Sequence, residues 1–188
     1  MVAHLTLNAE ALAGVLTGLA REEPVPMYRS AADRDQDIAY LALSELAELR
    51  ERFLASTTQF ATAVLGVPPQ GWAGEFERVP GGPRFPHRQI VAMRHREVEV
   101  HHADLDAGYT HADWPEEFLD LTFNSVVGDR EGGPAMLLRT PDGDVPVSGG
   151  AGPVVTGSRE QLTWWLLGRG SGAGLGADPA LPELPPWR

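Results

Sequence analysis

Leu5, Leu12, Val15, Leu16 and Leu19 recur at the spacing of one helix face, and the period resumes after Pro24 and Pro26 with Ile38, Leu41, Leu46, Leu49, Phe53, Phe60 and Val64. Apolar residues placed every third or fourth position are buried together only when the backbone is helical and the helices pack side by side. The first two-thirds of the chain is therefore constrained to a helical bundle. The pattern predicts a first helix over 1–21 and a second from Ser30, an N-cap with Asp33 at the capping-box position, to Gly66, a length of about nine turns. Segment 66–86, with Pro68, Pro69, Gly71, Pro80, Gly81, Gly82, Pro83 and Pro86, is too rich in breakers for a helix and reads as a loop, with 76–79 as a short edge strand. A third helix is expected over 87–106, ending at Gly108, and a fourth over 115–127, with Asp113 and Pro115 at its start.

The character then changes. Segments 136–140 and 144–147, separated by Pro141, Asp142 and Gly143, carry a hairpin signature. Val154 and Val155 allow a short third strand after Pro153, and 158–167 reads as a helix carrying Leu162, Trp165 and Leu166. Two domains are expected, a helical one over 1–128 and a small α/β one over 129–188, with the final LPPWR as a tail docking through Trp187.

Composition narrows the function. No run of about 18 apolar residues occurs and the N-terminus lacks the layout of a secretory signal, so the reading is a soluble, cytoplasmic protein with no membrane partner. A net charge of -11 repels phosphate backbones and argues against nucleic acid as a partner. With no cysteine, thiolate metal ligands and a cysteine nucleophile are excluded, and any thiol chemistry has to use a thiol that arrives as a cosubstrate.

The third helix carries the chemistry. At about 100° per residue, Ile90, Met93, Arg94, Glu97, Val98, Val100, His101, Asp104 and Leu105 share one sector. Arg94, Glu97, His101 and Asp104 thus form a column of ionisable groups inside an apolar stripe. Desolvating such charges is costly unless they pair or bind metal. They either satisfy one another, Arg94 with Glu97 and His101 with Asp104, or Glu97 and His101 act as an ExxxH pair of metal ligands. His4 shares the sector of Leu12, Val15 and Leu19 on the first helix; alone it reads as a hydrogen-bonded core histidine, but with Glu97 and His101 it is a candidate third ligand, giving a His-Glu-His set with an open fourth position, as in catalytic zinc sites. His87, His95, His102 and His111 fall on exposed faces or in loops, and the acids of the second helix form a solvated face.

The string REVEVHHADLDAGY at 96–109, followed by ADWP at 112–115, resembles the mycothiol-dependent maleylpyruvate isomerase family of actinobacteria. VAHL at 2–5 with Asn8 and Ala9, VPMY at 25–28, LLGRG at 166–170 and LPPW at 184–187 extend the resemblance over essentially the whole chain. It implies an α+β fold, a DinB-like four-helix metal-binding bundle followed by a small α/β domain resembling sterol carrier proteins. It also implies zinc at His4, Glu97 and His101, mycothiol as the thiol cosubstrate, and Arg169 as a catalytic group that binds a substrate carboxylate or transition-state charge. The implied reaction is thiol addition to maleylpyruvate, rotation and elimination to fumarylpyruvate. The alternatives are a mycothiol S-transferase acting on electrophiles and a non-catalytic metal- or small-molecule-binding protein; the oligomeric state is left open. Relatives carry a complete helix with GlyTrpThr ahead of the metal-binding histidine, whereas Met1 stands just before His4. The expectation is that the first bundle helix is missing and that His4, in a frayed first turn, is a poor ligand.

Overall fold

The computed structural model describes residues 1–186, so the expected docking of Trp187 lies outside the described residues. The chain divides by packing into two compact units, Met1–Val98 and Glu99–Arg188.

The first unit is built on α1 (Val2–Ala20), whose Leu12, Val15 and Leu16 are fully buried. They form a core with Met27, Val67, Phe76 and Ile90. Although α1 is long and apolar enough to cross a membrane, more than half of it is buried inside the protein, as a core helix would be. The long second helix is in fact two, α2 (Ala31–Leu41) and α3 (Leu46–Gly66). After Ile38 the hydrogen bonds shorten from Ala42 N–H→Ile38 O to Leu43 N–H→Tyr40 O and Ser44 N–H→Leu41 O, and Glu45 turns extended (ψ 143°) before the helix restarts. An unbroken apolar period does not report such a break, because a short turn can preserve the face on both sides. Ser30 caps α2 as expected, accepting from Asp33 N–H at 3.0 Å. Ser30→Ala is expected to cost about 1 kcal/mol, read from the midpoint of urea unfolding.

The breaker-rich segment holds more structure than expected. A 3₁₀ turn over Pro69–Ala73 is followed by a hairpin of β1 (Glu75–Glu77) and β2 (Arg84–Pro86), with Phe76 opposite Phe85. His87, expected in the open, is instead 5% exposed: its ring stacks near Phe76 and its Nδ1 donates to Gly71 O at 2.7 Å. A 3₁₀ turn over His87–Gln89 leads into α4 (Ile90–Asp104), which starts later than the pattern predicts. It also stops earlier than Gly108, where Asp106 already takes the left-handed conformation (φ 49°).

In the second unit, α5 (Glu116–Asp129) and α6 (Arg159–Leu166) bury Phe118, Leu119, Phe123, Val126, Leu162 and Leu166 in a core shared with Met136, Leu138, Val147 and Val155. Asp113 does not cap α5. It closes a capping box with Thr110 on a preceding 3₁₀ turn, and Pro115 stands at the N-cap. The expected hairpin is present as β3 (Met136–Thr140) and β4 (Gly143–Val147), antiparallel, with Gly143 at φ 138°. β5 (Val154–Thr156) pairs parallel to β3, and an unexpected β6 (Gly176–Asp178) pairs antiparallel to β5. The sheet order is β4-β3-β5-β6, and the architecture is α+β. Arg130, at the C-cap of α5 and 4% exposed, donates from Nε and Nη2 to Leu166 O and from Nη1 to Pro185 O at 2.6 Å. A buried cation whose charge is answered by backbone carbonyls thus ties the C-terminal segment to the end of α6.

Candidate metal centre

Two helices supply the donor atoms. His4 sits in the first turn of α1, and Glu97 and His101 stand one turn apart on α4, which is a single unbroken helix. Each offers one ligand atom, and the three atoms lie within 4.8 Å of one another. Far from being left to fray, His4 is held from both ring nitrogens: Nε2 lies 2.8 Å from Glu97 Oε2 and Nδ1 lies 3.2 Å from Arg34 Nη2. A guanidinium only donates, so Nδ1 accepts and the proton of a neutral ring sits on Nε2, facing Glu97.

His101 is fixed the opposite way round. Its Nδ1 lies 2.8 Å from Asp104 Oδ2, and a carboxylate only accepts, so Nδ1 carries the proton and Nε2 keeps its lone pair. This is the carboxylate–histidine arrangement that makes an imidazole a good metal ligand. Asp104 in turn receives Arg169, with Nε 3.2 Å from Oδ1 and Nη2 3.1 Å from Oδ2. Arg169 follows α6, where Gly168 takes the left-handed conformation (φ 73°) that ends the helix, and its Nη1 donates to Leu167 O at 3.2 Å.

The column on α4 therefore does not resolve into the pairs expected of a self-contained network. His101 and Asp104 do pair, but Arg94, 5% exposed, donates to Leu5 O at 2.8 Å and Asn8 Oδ1 at 3.0 Å. Glu97 faces His4 instead. Desolvation lowers the Arg94 pKa, and the nearby charge of Glu97 and the Tyr28 hydroxyl act against that fall. Burial pushes the Tyr28 hydroxyl up, only partly offset by the hydrogen bond and charge of Arg34.

Burial alone would raise the Asp104 carboxyl, but the hydrogen bonds and charges of Arg169 and then His101 outweigh it and hold the group below the usual carboxylate range. A carboxylate with a lowered folded pKa stabilises the protein above its unfolded value, about 3.9, and that contribution is lost as pH falls through the folded value. Asp104→Asn is therefore expected to flatten the stability–pH slope below about pH 4. Urea midpoints measured from pH 6 to pH 2.5 check this.

Arg34 was hidden in the sequence among the acids of α2. The signal was available: Arg34, Ile38 and Leu41 stand at i, i+4 and i+7, which puts the arginine on the apolar stripe of that helix. A His-Glu-His donor set, with two imidazole nitrogens and one carboxylate oxygen, suits a divalent cation of the zinc type.

The family model for the mycothiol maleylpyruvate isomerase N-terminal domain matches residues 1–106. The whole fold is similar to the crystal structure of a mycothiol-dependent maleylpyruvate isomerase, with a TM-score of 0.88 and 27% identity over 99% of this chain and 80% of that one. A histidine-to-alanine variant of such an isomerase matches with the same TM-score and coverage at 26% identity. No curated protein matches the chain.

Proposed function

Because the chain belongs to the mycothiol maleylpyruvate isomerase family, we propose that it is a zinc-dependent, mycothiol-using cytoplasmic isomerase of a small unsaturated keto acid. The observation that carries this reading is the convergence of His4, Glu97 and His101, one donor atom each, on one point. Zinc, when bound there, would lower the pKa of a coordinated thiol and so supply a thiolate near neutral pH.

The chain's own residues prepare for that chemistry. Asp104 holds the His101 proton on Nδ1 and leaves Nε2 as the donor. Glu97 contributes a full negative charge to the donor set, and His4 would offer one ring nitrogen as a neutral imidazole. Arg169 supplies a cation for a carboxylate of the substrate or for charge that builds up beside it. The thiolate sulfur adds to one carbon of the cis double bond, and the electron pair passes onto the conjugated carbonyl. Rotation about the resulting single bond and loss of the same thiolate then regenerate the double bond as trans. Atoms and charge balance with no oxidant or further reactant.

The test is elemental analysis of the purified protein, followed by maleylpyruvate conversion with and without mycothiol. About one zinc per chain and isomerisation that needs mycothiol are expected. Mycothiol consumed by a generic electrophile with maleylpyruvate untouched would reassign the chain as an S-transferase. Finding no bound zinc and no dependence on the thiol would overturn the reading.

A further inference from the structure

We propose that Asp104 is a positioning residue that one carboxylate lends to two tasks, fixing the tautomer of His101 and holding the guanidinium of Arg169, so that the two groups are coupled through it. The proposal rests on the reading of His101 as a metal ligand. Its basis is a shared atom: Asp104 Oδ2 accepts from His101 Nδ1 at 2.8 Å and from Arg169 Nη2 at 3.1 Å, while Oδ1 accepts from Arg169 Nε at 3.2 Å. The carboxylate side chain is 17% exposed, and the imidazole and guanidinium are 19% and 25% exposed, so water competes weakly for these contacts.

Sharing one acceptor has a direction. Each N–H donated to Oδ2 withdraws electron density that the other donor would otherwise meet. Arg169 bound to Asp104 thus weakens the pull of the carboxylate on the His101 N–H, and with it the electron donation of His101 through Nε2. An anion that draws Arg169 away returns the full carboxylate to His101. Occupation of Arg169 by a carboxylate-bearing ligand is in this way transmitted to the ligand strength of the imidazole, through one side chain and with no movement of the backbone.

The test uses wild type, Asp104→Asn, Asp104→Glu, Arg169→Met, the Asp104→Asn/Arg169→Met double variant and His101→Ala. Zinc affinity is read by competition with a chromophoric chelator, and the His101 ring nitrogens by ¹⁵N NMR of the metal-free protein. Asp104→Asn is expected to lower zinc affinity by about 10–100-fold and to mix the His101 tautomers, with Asp104→Glu recovering part of both. Arg169→Met should raise affinity a few-fold in the wild-type background and leave it unchanged when Asp104 is already Asn. If Asp104→Asn binds zinc as wild type does while His101→Ala loses it, the proposal fails and the metal site stands. If His101→Ala also keeps zinc, the metal reading fails, and the tautomer measurement on metal-free protein still decides the role of Asp104: an Nδ1 proton unchanged in Asp104→Asn overturns it.

Discussion

Replacing Glu97 with alanine is expected to weaken zinc binding by on the order of a thousandfold, read by competition with a chelator, and to abolish mycothiol-dependent turnover. Zinc held by protein side chains binds with an apparent free energy of roughly 10–16 kcal/mol, so losing one of three ligands removes about 4 kcal/mol, on the order of a thousandfold in affinity. Glu97 is the only anionic member of the donor set, which places it among the most costly of the three to remove. The same substitution takes away the carboxylate facing His4 Nε2 and a favourable charge near Arg94. A second effect follows, a modest loss of stability in the metal-free protein. The competition and a thermal melt in excess chelator separate the two; unchanged zinc affinity would show that Glu97 is not a ligand.

Arg94→Ala should be the most damaging single substitution near the site for stability itself, by about 3 kcal/mol, or a Tm lower by on the order of 10 °C. The side chain is 5% exposed and joins α4 to α1 through Leu5 O and Asn8 Oδ1. Truncation leaves Asn8, itself 4% exposed, without that partner, removes one donor to Leu5 O, and opens a void where the aliphatic stem packed. Arg94→Met keeps most of the stem and is expected to lose less, so the difference between the two variants measures the polar part. Equal stability for all three proteins in urea would show that the buried cation contributes nothing.

The order of the column on α4 was legible because helical geometry is uniform: Glu97 and His101 follow from a spacing of four, and His4 from its place on the stripe of α1. Val98 and Leu105 were misplaced by the same reasoning, being 38% and 50% exposed, while Ala103, which falls outside that sector, is buried at 7%. The reason is physical. A wheel assumes one buried face along the whole helix, whereas Ile90 belongs to the core of the first unit and Val100 and Ala103 to that of the second. Relative to Ile90, the buried position lies about 80° round the helix at Val100 and about 140° at Ala103. The burial of His87 was invisible for a different reason, since it depends on a partner distant in sequence, Gly71, that no local pattern names; the place of Arg34 on the stripe of α2 was legible, but its partner His4 was not. Three-residue strands such as β1, β2 and β6 carry too few residues to show a period at all.

The tie made by Arg130 has a consequence for biosynthesis. Its guanidinium is answered by Leu166 O and by Pro185 O, and Leu181 and Leu184 pack against the same core. Translation delivers the arginine long before the proline, so on the ribosome the nascent second unit holds a cation whose final acceptor has not yet been made. Completion of the second unit thus waits until Pro185 has been made, and a chain stopped before it leaves Arg130 Nη1 without that acceptor.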